Sequence, residues 1–300
     1  MQNPVRLPAP YSTLRRRPLW LSAAGMMTCL LIAFATATRM DAAEPAADEI
    51  ISRYIEGNRV DSELAYIKMV TEAPGAAAME RRILFVYQKA AAAESFFMRL
   101  LHPKEVEAVT LLAATSPEKK LQYYFMLPSL GKMRQLTPEA SKGAFLGSDY
   151  TFEDLLQEVP EWHQYQLRPE EDVDGVRCYV VRAIDDRKDR KSTYAYRDLY
   201  IDKEAYRMRK IAFYDGKESL VKLLTASGYG SGEVKGKTTR PRIAEMRNVN
   251  ANSKTTFTVI EGRIGEKFDA ELFTPKKLEN WPLLDVEEFI FDLGLTVDVN

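Results

Sequence analysis

The chain has 300 residues, 42 of them basic and 43 acidic, and a formal net charge of −1 near neutral pH. Acids and bases are interspersed, so no basic patch argues for nucleic acid as a partner. About 257 residues follow the export signal predicted below, a length that suits one large domain or two small ones.

Residues 1–43 are predicted to be an export signal. Residues 1–18 are arginine-rich and contain no acid, and the apolar stretch Leu19–Phe34 follows. Small residues then precede Glu44, which completes the pattern of a secretory signal peptide. The apolar stretch is shorter than the roughly 20 residues that span a bilayer. We therefore expect cleavage after Ala37 or Ala43 and a mature protein in the periplasm; an uncleaved membrane anchor is the alternative.

The first predicted helix covers Asp48–Glu56. Asp48 is placed to cap its N-terminus and Gly57 to end it. Four apolar residues share one face of this helix: Ile50, Ile51, Tyr54 and Ile55.

Strand patterns dominate the chain after this helix. Aromatic and β-branched residues are concentrated in short segments, and signals such as Asp174-Gly175 and Asp215-Gly216 mark turns between segments. The predicted strands are Glu63–Thr71, Arg81–Gln88, Ser95–Leu101, Ala108–Thr115, Lys120–Leu127, Trp162–Leu167, Val176–Ile184, Tyr194–Ile201, Arg207–Tyr214, Ser219–Ala226, Ile243–Asn248 and Thr255–Glu261. Short strands joined by turns favour a mainly β (α+β) fold, with one antiparallel sheet curled into a barrel or half-barrel.

A second helix is predicted in the middle of the chain, after Gly147-Ser148-Asp149-Tyr150. Thr151 and Asp154 have the spacing of a capping box, and Pro160 ends the helix. Its apolar stripe contains Phe152, Leu155, Leu156 and Val159.

Each helix has one apolar face and therefore needs a surface to cover. The concave side of a curled sheet offers such a surface, and an imperfect fit leaves an apolar cavity that could hold acyl chains. The alternative is that the helices complete a dry core. The predicted cavity residues are Ile51, Tyr54, Ile55, Phe152, Leu155 and Leu156 on the helices, with Phe97, Leu111 and Tyr124 on strands whose phase the sequence does not fix.

Motifs for catalysis or metal binding are missing from the sequence. The two histidines, His102 and His163, lie far apart, and no cysteine or carboxylate cluster joins either at metal-ligand spacing. Neither a Gly-x-Ser-x-Gly elbow nor a His-Glu-x-x-His motif occurs. We therefore expect no cofactor, no metal and no enzyme activity. A hydrolase has no motif in its favour.

Four sequence segments resemble those of the bacterial outer-membrane lipoprotein-sorting proteins. This family is related to the periplasmic lipoprotein carrier (LolA-like). The segments are Tyr124–Leu136, Gly147–Leu155, Val173–Val180 and Leu199–Tyr214, and their order and approximate spacing also fit. The resemblance runs from about Ala47 to about Leu278.

The resemblance implies a half-barrel of about eleven strands, with helices closing its open side over an apolar cavity. It implies a periplasmic carrier that binds lipid, or the acyl chains of lipoproteins, for transfer toward the outer membrane. Its partners would be the acylated cargo, an inner-membrane transporter and an outer-membrane acceptor. A module that carries nothing and docks on an envelope transporter or assembly is the alternative.

The C-terminal residues depart from the family's pattern. We expect residues 44–280 to form the carrier-like domain and residues 281–300 to be an extension rich in apolar and acidic side chains. The extension either packs on the barrel rim or docks on a partner.

Overall fold

The computed structural model describes residues 44–90, 93–115, 121–137, 139–155, 160–187, 192–230, 234–235, 240–292 and 294. The predicted export signal, residues 1–43, lies outside the described residues, and so do Leu156 and Val159 of the second predicted helix. Within the described ranges, no helix has the length and apolarity that crossing a membrane requires.

One sheet contains all fourteen strands of the described residues. The strands are β1 Ser62–Glu72, β2 Met79–Ala90, β3 Ala93–His102, β4 Thr110–Thr115, β5 Leu121–Met126, β6 Met133–Gln135, β7 His163–Val173, β8 Val176–Asp185, β9 Tyr196–Asp202, β10 Met208–Tyr214, β11 Leu220–Ser227, β12 Val234–Lys235, β13 Ile243–Asn248 and β14 Ser253–Ile264. The helices of the same residues are α1 Ala47–Gly57, α2 Pro275–Glu279 and α3 Leu283–Asp292, with several short 3-10 turns.

Thirteen strands follow the order β6-β5-β4-β3-β2-β1-β14-β13-β11-β10-β9-β8-β7 in the described sheet, and β12 pairs with β14 beside this path. Neighbours along the path are antiparallel, as predicted, whereas β12 is parallel to β14. All twelve strands predicted from the sequence are present. The fourteen strands exceed the eleven or so that the resemblance implies. The sequence pattern misses only β6 and β12, which have three and two residues and are too short to show an alternation.

The sheet curls around the segment 139–155, which we call the covering segment. The Phe152 ring packs against Phe125 on β5 with 5.8 Å between centroids, and two residues later the Asp154 carboxylate pairs with Lys222 on β11 at 2.9 Å. A flat sheet would hold β5 and β11 about 34 Å apart, since seven spacings of about 4.8 Å separate them. The sheet must therefore bend toward the covering segment, as expected for a half-barrel. We call the side facing it the inner face.

Helix α1 covers the inner face at the β8–β9 end of the sheet. Ile50 and Ile51 are fully buried against a cluster that includes Val181 of β8 and Leu199 of β9. The helix begins one residue before the predicted start, and its N-cap is Ala46, not Asp48. Asp48 lies in the first turn, where a negative charge still favours the helix dipole.

Helices α2 and α3 pack on the opposite side of the sheet, the outer face. Their cluster joins alternate residues of β1–β4 to residues of the C-terminal part: Leu64, Leu84, Phe97 and Leu112 meet Phe273, Leu278, Trp281, Val286 and Ile290. The described part of the C-terminal extension, residues 281–292, therefore packs on the outer face.

Arg99 ties these C-terminal residues to the sheet. Its side chain is buried on the outer face of β3 and donates hydrogen bonds to the main-chain oxygens of Leu278, at 3.2 Å, and Trp281, at 2.7 Å. Burial lowers the pKa of the Arg99 guanidinium to about 10, so it remains charged near neutral pH. A buried charge needs such acceptors, because desolvation would otherwise make its burial costly.

Candidate functional site

The turn at Gly147–Tyr150 fixes the covering segment to the sheet. Gly147 has a φ of +71°, a conformation that glycine adopts without a steric penalty. The Asp149 carboxylate then accepts hydrogen bonds from the hydroxyls of Ser253 and Thr255 on β14. The Tyr150 hydroxyl donates to the main-chain oxygen of Ala244 on β13, at 3.0 Å. Polar contacts thus hold this turn against the middle of the inner face.

Asp154 forms the second attachment. The predicted capping box is present: the Asp154 carboxylate accepts from the Thr151 amide at 2.7 Å, and the Asp154 amide donates to the Thr151 hydroxyl at 3.3 Å. The same carboxylate accepts from the Tyr194 hydroxyl at 2.8 Å and pairs with Lys222. Burial, and then the Asp154 charge, raise the pKa of Tyr194, so this hydroxyl stays protonated.

The helix predicted after this box is only partly described. Its first turn, Glu153–Leu155, is a 3-10 turn and not an α-helix, and residues 156–159 lie outside the description. A second 3-10 turn begins at Pro160.

Aromatic rings fill the space between the covering segment and the sheet. Phe152 meets Phe125 and also Phe145, edge to face, and the Tyr150 ring lies 4.7 Å from that of Phe257 on β14. These rings belong to a buried cluster on the inner face that extends from β5 to β10. The site is therefore an apolar interior bordered by polar attachments.

Six of the nine predicted cavity residues lie on the inner side. Phe152, Leu155 and Leu111 belong to or pack against the aromatic cluster. Ile51, Tyr54 and Ile55 of α1 pack over β8 and β9. The structure does not bring Phe97 and Tyr124 together with these six, because both lie on the outer face. Leu156 is outside the described residues.

A pocket opens at the β5–β6 end of the inner face, and no sequence pattern marks most of the residues that line it. Its volume is about 260 Å³, and its lining comprises Phe125, Leu127, Leu130, Arg134, Gln135, Leu136, Thr137 and Ala140. Phe125 and Leu136 also pack against the aromatic cluster, so the pocket adjoins the buried interior. Leu127 and Leu130 are exposed apolar side chains in a turn, where no periodicity identifies them.

Among the described residues, no group of three His, Cys, Asp or Glu side chains is arranged to hold a metal ion. The charged groups of Asp149, Asp154 and Lys222 act as attachments between the covering segment and the sheet.

Comparison with known proteins agrees with this geometry. A family model described as "Uncharacterized protein" matches residues 92–280. A solved structure described as an outer-membrane lipoprotein-sorting protein domain, from Vibrio parahaemolyticus, has a TM-score of 0.71 at 20% identity and covers 77% of this chain and 97% of its own. The chain therefore belongs to the family of that model, and its fold is LolA-like.

Two further structures share the LolA-like fold. A LolA superfamily protein from Nitrosomonas europaea has a TM-score of 0.62 at 16% identity, with 78% of this chain and 99% of its own covered. A DUF1329 family protein from Desulfovibrio piger has a TM-score of 0.69 at 19% identity, with 76% and 96% covered. Identities this low show the fold alone. No curated protein sequence matches the chain.

Proposed function

We propose that this LolA-like protein is a periplasmic carrier that binds lipid, or the acyl chains of lipoproteins, on the inner face of its half-barrel. The observation that carries the proposal is the apolar interior under the covering segment, which continues into an apolar pocket at one end. Carriage requires no covalent step. Each methylene transferred from water to this interior would contribute roughly 0.8 kcal/mol to binding.

Release follows from the same geometry. The pocket, at about 260 Å³, lies just below the roughly 300–1,000 Å³ of sites that bury a whole small molecule. A complete acyl chain therefore needs the covering segment to move away from the sheet. Cargo would pass to an acceptor that binds the chain more tightly than the carrier does. An inner-membrane transporter and an outer-membrane acceptor are the partners that this role requires.

The test is native mass spectrometry of protein purified from the cell envelope, followed by lipid extraction. We expect a stoichiometric acylated molecule on the wild type and a strong loss of it from Leu155→Asp, which places a charge against the aromatic cluster. Val249→Asp is the matched control, because Val249 is exposed in a turn. A folded Leu155→Asp variant with undiminished lipid would refute the proposed binding face.

A second candidate is a docking module that carries nothing. Phe291 favours it, because this large apolar side chain on α3 is 79% exposed. The acids of α3 surround it in sequence. Under this proposal, an envelope protein would bind α3, and native mass spectrometry of the wild type would give the mass of the polypeptide alone, without lipid.

A further inference from the structure

Arg134 is the one charged residue in the lining of the pocket at the β5–β6 end of the inner face. It lies on edge strand β6 directly opposite Phe125 of β5, and cross-strand partners point to the same side of a sheet. Phe125 belongs to the inner face, so Arg134 does too. An arginine at the rim of an apolar pocket can keep its stem on apolar surface while its guanidinium faces water.

The lining of this pocket carries one cationic side chain, Arg134, and no acidic one. Two acids of the neighbourhood are engaged elsewhere: Glu139 pairs with Lys142, and the Glu279 carboxylate accepts a hydrogen bond from the Met133 amide. Among the described residues, none of the ion pairs involves Arg134. The guanidinium is therefore available to a negative charge supplied by a ligand.

We infer that this pocket takes a single acyl chain at the end that carries its head group. The head group is anionic, of the fatty-acid carboxylate type, and it pairs with Arg134. The guanidinium is a planar donor that matches a carboxylate through two parallel hydrogen bonds. The volume of about 260 Å³ favours one chain over the two chains of a phospholipid. The inference rests on the proposed carrier function and names its ligand class.

The experiment uses protein produced from the full-length chain, purified from the envelope and stripped of bound lipid. Calorimetric titration compares laurate with dodecanol, which has the same chain length and no charge. We expect the wild type to bind laurate about three- to tenfold more tightly than dodecanol, as for a partly exposed charge-assisted pair.

Arg134→Gln should remove this preference by weakening laurate alone. Lys132→Gln is the matched control, because it deletes the same charge two residues away, outside the pocket lining. Ala140→Trp should weaken laurate and dodecanol alike, since Ala140 is an exposed lining residue and the indole would fill the pocket.

Equal binding of laurate and dodecanol to the wild type would overturn the inference, as would equal effects of Arg134→Gln and Lys132→Gln. Displacement of laurate by an anionic two-chain phospholipid at equal affinity would overturn the single-chain assignment. If lipid co-purifies and Leu155→Asp depletes it while Arg134→Gln changes nothing, the carrier function stands and this inference fails. If neither probe binds and no lipid co-purifies, both fail.

Discussion

Glu63 and Arg240 form a buried ion pair at the inner face. Glu63 lies on β1 directly opposite Tyr87 of β2, a member of the aromatic cluster. Its Oε2 lies 3.0 Å from the Nε of Arg240, whose guanidinium is 5.3 Å from the Tyr87 ring. Burial raises the pKa of Glu63, and the charge of Arg240 offsets only part of this rise. The carboxylate therefore titrates above its ordinary range.

This pair makes the stability of the protein depend on pH. Folded Glu63 holds its proton more tightly than the unfolded chain, whose pKa is near 4.5. The tighter binding of this proton in the folded state contributes to the free energy of unfolding. That contribution is fully present below pH 4.5 and is lost as pH rises through the raised pKa of Glu63. Glu63→Gln should therefore flatten the fall in the free energy of unfolding above pH 4.5, measured by urea denaturation at several pH values.

Glu72→Gln is the control, because Glu72 is an exposed acid at the other end of β1. Its curve should run parallel to that of the wild type. The prediction is wrong if Glu63→Gln gives a parallel curve as well.

At the scale of elements, the covering segment depends on contacts that are distant in sequence. The capping box was predictable because Thr151 and Asp154 are three residues apart and the motif is local. The partners that fix it to the sheet, Tyr194 and Lys222, lie 40 and 68 residues further along the chain. No pattern in a single sequence links residues so far apart, so this part of the site could not be predicted.

Strand phase was unpredictable for a different reason. Hydrophobic alternation marks the inner face only when the other face is polar. In β3, Phe96 and Met98 face inward while Phe97 and Leu101 face outward under α2 and α3. Both faces of this strand are apolar, so its sequence shows no alternation. The sequence therefore does not distinguish Phe97, which faces outward, from the inner residues of β3.

Asp154 and Lys222 should be energetically coupled. The Asp154 side chain is 1% exposed and that of Lys222 is 11% exposed, so the pair is almost fully withdrawn from water. Asp154→Asn would leave Lys222 buried without its charge partner, and we expect a loss of about 3 kcal/mol in the free energy of unfolding. Amide hydrogen exchange should also increase in the covering segment.

A double variant tests this coupling. Adding Lys222→Met removes the buried ammonium that has lost its partner. The free energy of unfolding of the double variant should therefore be at least about 1 kcal/mol higher than that of Asp154→Asn alone. Losses that simply add would show that the ion pair does not hold the segment. Lys254→Met serves as a control, because Lys254 pairs with Glu72 on the surface, where ion pairs contribute little.

At the scale of the whole molecule, the sheet is covered on both sides. The covering segment and α1 pack on the inner face, and α2 and α3 pack on the outer face. These coverings have different attachments. Both coverings pack through apolar clusters, but the inner one is held by the buried carboxylates of Asp149 and Asp154, whereas the outer one is held by Arg99 and main-chain oxygens. We expect the inner covering to move during loading while the outer one stays in place.

Two adjacent residues of α3, Ile290 and Phe291, allow its packing on the sheet to be tested separately from docking on a partner. Ile290 is 2% exposed in the outer cluster and Phe291 is 79% exposed. Ile290→Asp should lower the free energy of unfolding by about 3 kcal/mol or more, because it buries a charge where an apolar side chain packed. Phe291→Asp introduces the same charge one residue later and should change stability by less than about 0.5 kcal/mol.

Because Phe291→Asp leaves the fold intact, it also distinguishes the two candidate functions. A carrier that uses only its inner face should retain its lipid and its transfer of lipid to acceptor membranes in this variant. A module that docks through α3 should lose its envelope partner, measured by cross-linking in cells, with no change in bound lipid. Loss of stability in Phe291→Asp comparable to that in Ile290→Asp would mean that α3 packs differently from the arrangement described.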